Sequence, residues 1–264
     1  MDLQLNGKRA LVTGSTAGIG FAIARMLAGE GARVIVNGRT QARVGEAVQA
    51  IRRDHTGAVL EEFAADLSTA DAAAEAIRRF PDLDILVNNL GMYEPKPFEQ
   101  IADAEWIKII ETNFMSGVRL SRHYLPRMKQ AGWGRIIFIS SESAVNIPEE
   151  MIHYGVTKTM QVALARGLAE TTAGTNVTVN SVLAGPTRSE GVEEFIGGVA
   201  RSQGIGAAQV EREFFQKMRP SSLLQRFAGI DEVAAMVAFV ASSLSSATNG
   251  AALRAEGGVV RSIL

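Results

Sequence analysis

Short apolar runs recur along this chain, at 8–13, 32–37, 58–63, 84–88, 135–139, 176–183 and 252–255, and most are followed by a stretch with helical spacing. Parallel strands cannot be joined by tight turns. They need crossovers, and these are usually helices. Strand-length runs alternating with amphipathic stretches therefore predict a parallel sheet with helices on both faces, joined by right-handed connections. The expected class is α/β, a Rossmann-type doubly wound sheet of about seven strands. By analogy with known doubly wound folds, the order is 3-2-1-4-5-6, extended by a seventh strand. A length of 264 residues, 47% of them hydrophobic, suffices for one large core. No repeat, linker or charge block divides the chain, so one domain is expected over 1–264.

Composition excludes several chemistries. Lys and Arg total 27 against 28 Asp and Glu, a balance that argues against a nucleic-acid or membrane-surface partner held by bulk charge. With no cysteine, disulfides, thiolate catalysis and cysteine-ligated metal drop out. The three histidines, His55, His123 and His153, lack metal-ligand spacing, so no metal is expected. No apolar stretch reaches membrane-span length and Met1 to Leu5 does not resemble a signal peptide, which predicts a cytoplasmic protein.

The first apolar run ends in Gly14-Ser15-Thr16-Ala17-Gly18-Ile19-Gly20, and a helical pattern with Ile19, Ile23, Met26 and Leu27 on one face follows. Strand, glycine turn and helix in that order suit a dinucleotide, whose pyrophosphate would lie at the helix N-terminus. A ligand-free glycine turn is the bland alternative. At the end of the second strand, where an acidic residue would bind a ribose 2′-hydroxyl, Asn37-Gly38-Arg39 offers only Arg39. NADP(H) is therefore expected over NAD(H), unless Arg39 is only a solvated helix-start residue. Asp66 follows the third strand, where its carboxylate could accept from an adenine amino group or cap the helix Ala70 to Phe80. The fourth strand ends in Asn88-Asn89-Leu90-Gly91, whose asparagines can tie neighbouring loops. A loop from Met92 to Phe98 follows, then a long helical pattern from Ala104 to Lys129 with Asn113 inside it. There Asn113 could distort a turn and hold a water.

The fifth apolar run leads to Ser141 at the carboxyl edge of the sheet, where ligands bind in open α/β sheets. On the helix Met151 to Thr171, Tyr154 and Lys158 are four residues apart and leave one face. A phenol titrates near ~10, so use near neutrality needs a drop of about three units, or ~4 kcal/mol. A unit charge at ~4 Å in an effective dielectric of ~20 supplies about that much, so Lys158 is expected to lower the Tyr154 pKa. Glu142, beside Ser141, could orient a substrate but is expected to face water. Residues 188–220 show no strand pattern and carry Phe195, Ile196, Phe214, Phe215 and Met218. They are read as a lid over a substrate of apolar character, with subunit packing as the alternative. Glu232 to Leu244 is the last expected helix.

Taken together, Thr13-Gly14-x-x-x-Gly18-x-Gly20, Asp66, Asn88-Asn89-x-Gly91, Asn113, Ser141, Tyr154-x-x-x-Lys158 and Gly185 resemble the short-chain dehydrogenase/reductase family over essentially the whole chain. The likeness extends to 3-oxoacyl-carrier-protein reductases within it. The resemblance implies an oxidoreductase interconverting a ketone and a secondary alcohol. Tyr154 would be the general acid or base, Lys158 its partner, Ser141 the polariser of the substrate oxygen, and Asn113 the holder of a relay water. It implies cofactor contacts from Gly14, Ser15, Thr16, Gly18, Ile19, Gly20, Arg39, Asp66, Leu67, Asn89, Gly91, Tyr154, Lys158, Gly185, Thr187 and Ser189. It also implies a homotetramer or homodimer through the helices near Ala104 and Met151. Leu90 stands where the family has alanine, and Ala184 where it has proline, with Pro186 after the glycine. These departures bear on the pocket and on the hinge of the lid. A non-catalytic dinucleotide-binding regulator and a dehydratase or epimerase are the rival readings.

Overall fold

The computed structural model describes residues 1–263. Its strands are β1 (Arg9–Val12), β2 (Arg33–Gly38), β3 (Leu60–Ala64), β4 (Ile85–Asn88), β5 (Gly134–Ser141), β6 (Val177–Ala184), β7 (Thr187–Arg188), β8 (Ala228–Gly229) and β9 (Ala252–Ala255). Seven of them form one sheet in the order β3-β2-β1-β4-β5-β6-β9, and every pairing is parallel. This is the expected doubly wound order with its seventh strand. β7 and β8 pair separately.

Successive side chains of a strand leave opposite faces, and this alternation divides the core in two. Ala10, Val12, Val34, Val36, Ile85, Val87, Ile137 and Ile139 face one layer. Leu11, Ile35, Leu86, Ile136 and Phe138 face the other. The first layer is closed by α1 (Gly18–Gly29), α2 (Gln41–Asp54) and α9 (Ile230–Ala241). The second is closed by α3 (Ala70–Arg79), α5 (Ser116–Ala131) and α6 (Ile152–Glu170), with α4 (Asp103–Ile110) leading into α5. All eight residues of β5 and all eight of β6 are buried, as a central strand covered on both sides requires. Each large aliphatic side chain buried this way contributes about 1.5–3 kcal/mol before chain entropy is counted.

Two stretches depart from the simplest reading of the sequence. The pattern from Ala104 to Lys129 is not one uniform helix. Between α4 and α5 a π turn spans Glu111–Met115, closed by the Ser116 N–H donating to the Glu111 carbonyl. Asn113 lies buried in this widened turn. Residues 188–220 carry two helices, α7 (Glu190–Gln203) and α8 (Ala207–Lys217), packed over a small cluster of Ile196, Val210, Phe215 and Phe227.

Candidate active site

The parallel sheet brings the carboxyl ends of β1, β4, β5 and β6 to one edge, and a cavity of about 880 Å³ opens there. One end is built by the turn after β1. Gly14 and Gly18 have φ of +60° and +56°, a region that suits glycine. A Cβ on Gly20 would run into the Asn89 carboxamide and the Gly14 carbonyl. Asn89 is the strut of this turn: its Nδ2 donates to the Thr13 carbonyl at 2.9 Å and to the Gly14 carbonyl at 3.0 Å. Thr13 Oγ1 accepts from the N–H groups of Asn89 and Leu90, both at 2.9 Å. Leu90 lines the cavity, its Cδ1 3.4 Å from where a Cβ on Gly14 would stand.

Other residues of the turn face inward. Ser15 is fully buried and donates to the Val12 carbonyl at 2.7 Å, while Asn37 Oδ1 accepts from the Gly14 N–H at 3.0 Å. The Ser15 hydroxyl also accepts from the Asn37 N–H at 2.9 Å, so it ties β1 to β2 rather than facing the cleft. Thr16 packs where a Cβ on Gly38 would go. Arg39 is exposed and forms no hydrogen bond or ion pair with any described residue. Asp66 is exposed and accepts from the Ser68 N–H at 3.1 Å, but the cap of α3 is Thr69, which accepts from the Ala72 N–H at 3.2 Å. Leu67 is a core residue. Gly185 is forced by the fold, because a Cβ there would strike the Glu256 backbone. The Thr187 hydroxyl donates to the Gly185 carbonyl at 2.9 Å, and Ser189 lies 3.5 Å from the Cβ position of Gly18, so the start of α7 closes over the glycine turn.

The expected catalytic group converges at the other end. Ser141 closes β5, and Tyr154 and Lys158 reach the same cavity from α6. Three details differ from expectation. First, Lys158 Nζ donates to the Ile139 carbonyl at 2.9 Å and to Gln161 Oε1 at 3.3 Å, and lies 5.5 Å from the Tyr154 ring centre. Burial pulls the Lys158 pKa down to about 8, with Glu142 opposing that fall. Tyr154 is not lowered. Desolvation, with Glu142 adding to it, holds its phenol well above the ordinary range, against the pull of the Ser141 hydrogen bond. Burial outweighs charge here because the ammonium is aimed at a carbonyl rather than at the phenol oxygen.

Second, the Asn113 carbonyl is reached by a side chain: Gln161 Nε2 donates to it at 2.6 Å, and the same carboxamide accepts from Lys158. Gln161 thus bridges the Asn113 carbonyl and Lys158. The Asn113 side chain holds Met92, accepting from its N–H at 2.8 Å and donating to its carbonyl at 2.9 Å. Third, Glu142 does not face water. It is 4% exposed, accepts from the Ser141 hydroxyl and, at 3.0 Å, from Arg219 Nε. Gln161 was open to sequence reasoning, since it shares a helix face with Lys158. Arg219 was not, since nothing local couples it to Glu142.

The short chain dehydrogenase family model matches residues 8–197. The chain belongs to the short-chain dehydrogenase family. It is 49% identical over 263 residues to an uncharacterized oxidoreductase, YvaG, of Bacillus subtilis, with all of both chains covered. It is 35% identical to a D-beta-hydroxybutyrate dehydrogenase of Cupriavidus necator, covering 97% of this chain and 99% of that one. Among solved structures, L-sorbose reductase from Gluconobacter frateurii, complexed with NADPH and L-sorbose, superposes with a TM-score of 0.93 at 28% identity over the whole of both chains. The protein is an oxidoreductase of the short-chain type, acting on CH–OH groups. Among the described residues no helix is long and apolar enough to cross a membrane.

Proposed function

We propose that this oxidoreductase interconverts a ketone and a secondary alcohol with NADP(H), with Tyr154 as the group that exchanges a proton with the substrate oxygen. The observation that carries this reading is the meeting of Ser141, Tyr154 and Lys158 in the same cavity as the glycine turn. That turn fits a dinucleotide: the N-terminus of α1 opens onto it, and Gly14 and Gly18 keep its backbone open to a phosphate. Near the reacting end Gly91 leaves space, with Lys158 Nζ 3.5 Å and Asn113 Oδ1 3.6 Å from its Cβ position. The bound nicotinamide supplies or accepts hydride. The protein's part is placement and proton handling. A phenol held protonated is in the right state to donate to a carbonyl oxygen as negative charge develops there. Lys158, Gln161 and the Asn113 carbonyl form a polar path behind it.

The preference for NADP(H) rests on the end of β2. Thr16 fills the space a side chain at Gly38 would need, no acid stands at the end of the strand to meet a 2′-hydroxyl, and Arg39, without a hydrogen bond or ion pair to any described residue, is available to a 2′-phosphate. The NADPH bound by the sorbose reductase agrees with this assignment. Met92, Tyr93, Met151, Val192, Phe195 and Phe214 line the substrate end, which suits a ketone with an apolar portion beneath a lid over 188–220. We further place the protein in the cytoplasm, as a homotetramer or homodimer. Ile107 on α4, 62% exposed, is the kind of side chain a subunit contact would cover.

Loss of NADPH absorbance with a panel of 3-oxo esters, 3-oxo acids and ketoses tests the reading. Tyr154→Phe is expected to lower turnover at least about a thousandfold with NADPH affinity within about twofold of wild type. Normal turnover in that variant refutes the role of Tyr154. Arg39→Asp is expected to weaken NADPH relative to NADH by at least about tenfold in kcat/KM. An unchanged ratio refutes the 2′-phosphate contact.

A further inference from the structure

Beside the group just described lies a buried ion pair. Glu142 follows Ser141 directly and accepts on both carboxylate oxygens. Oε2 takes the Ser141 hydroxyl and the Ser143 N–H, the latter at 3.0 Å, and Oε1 takes Arg219 Nε at 3.0 Å. Arg219 follows α8, and its side chain is 12% exposed. Its Nη1 donates to Glu150 Oε1 at 3.2 Å, and the Glu150 carbonyl accepts from the Lys96 N–H at 2.9 Å. One guanidinium thus joins the segment after α8, the end of β5 and the segment before α6.

We propose that Glu142 is a positioning residue for Ser141 and Tyr154, held in place by Arg219, so that seating of the segment after α8 sets the hydrogen-bond direction at the catalytic serine. The proposal rests on the assignment of Tyr154 as the proton-exchanging group. Its geometric basis is the orientation of one hydrogen. The Ser141 hydroxyl donates to Glu142 while its oxygen accepts from the Ser143 N–H at 3.1 Å, so the serine can polarise a substrate oxygen only by turning its hydrogen away from Glu142. The phenol, not the serine, then remains as the ready donor.

Charge acts in the same sense. The groups facing Tyr154 are Glu142, which opposes ionisation of the phenol, Arg219, which favours it, and Tyr93, its ring centre 6.1 Å away. Lys158 is turned to the Ile139 carbonyl. Charged groups facing Glu142 are Arg219 and Lys158, with Glu150 beyond the guanidinium.

The test is the pH dependence of kcat/KM for NADPH-driven reduction, whose alkaline limb reports deprotonation of the Tyr154–Lys158 group, both members of which the Glu142 charge pushes in the same direction. Glu142→Gln removes a negative charge, so the limb is expected to move about one pH unit lower, with kcat reduced about tenfold. Arg219→Met leaves that charge uncompensated and is expected to move the limb higher. Glu142→Asp keeps the charge with a shorter reach, returning the limb close to its wild-type position while kcat stays low. Arg219→Met carries the test alone if Glu142→Gln does not fold. Limbs that stay within about 0.2 units of wild type, whatever the loss of rate, or that move in the same direction in Glu142→Gln and Arg219→Met, overturn the proposal. Failure of the underlying assignment looks different: Tyr154→Phe would keep its turnover.

Discussion

Lys158 is a residue that the fold holds in an unfavourable state. It is 5% exposed, and burial draws its pKa from 10.5 to about 8. Below pH 8 both folded and unfolded chains carry the proton, and the charged amine destabilises the fold by about 3 kcal/mol. Between about 8 and 10.5 the unfolded chain holds a proton that the folded chain has released, so stability rises with pH across that window. Lys158→Met removes this dependence. Relative to wild type, the variant should be most favoured near pH 7 and lose ground steadily towards pH 10, as read from urea midpoints. A difference that stays flat over that range would show that the amine is not buried as a charge. The pairing of Lys158 with Tyr154 was legible because a four-residue spacing places both on one helical face. The state of Glu142 was not, because its burial depends on Arg219, 77 residues away in sequence. The direction of the Tyr154 shift was missed for a related reason: spacing locates a charge, but burial decides its effect.

At the level of elements, the β1–α1 turn is built to a tolerance that glycine alone meets. Gly20 is buried in the first turn of α1, against the carboxamide by which Asn89 holds Thr13 and Gly14. Gly20→Ala should displace that carboxamide and destabilise the protein by about 1–3 kcal/mol. NADPH affinity should fall at least about tenfold with it, because the turn backbone shifts. Thermal unfolding and cofactor titration read the two effects, and wild-type values for both would show that the turn has slack. This motif was readable because its chemistry lies in seven consecutive residues. The helix α7 was not, since Gly197 and Gly198 fall in its middle, where each costs about 1 kcal/mol of helix propensity relative to alanine. Tertiary packing of Ile196 overrides that penalty. Likewise Asn113 signalled a disturbed turn, but whether that turn widens into a π turn is settled by Met92, Thr157 and Gln161 around it.

At the scale of the whole molecule, the apolar interior formed by the described residues is in three parts rather than two. Two layers cover the faces of the sheet, and the third, beneath α7 and α8, is made of Ile196, Val210, Phe215 and Phe227. The strand order was anticipated by analogy, since nothing local in a parallel strand names its neighbour. The third cluster could not be anticipated, because its residues come together only through the α7–α8 turn and the strand β8. A small cluster joined to the body mainly by polar ties is expected to open on its own, at a lower free energy than the sheet. Those ties include Arg219 to Glu142 and Glu150, and Arg43 Nη2 to Glu190 at 3.1 Å from the far side of the glycine turn. Amides of 190–217 should therefore exchange with deuterium at least about tenfold faster than those of β5, which corresponds to an opening free energy lower by about 1.4 kcal/mol. NADPH should slow them, because Gly18 and Ser189 approach each other across the cleft that the cofactor would fill. Exchange in 190–217 as slow as in β5, or no change on adding NADPH, would mean that the two helices belong to the rigid body and that substrate reaches Tyr154 without their opening.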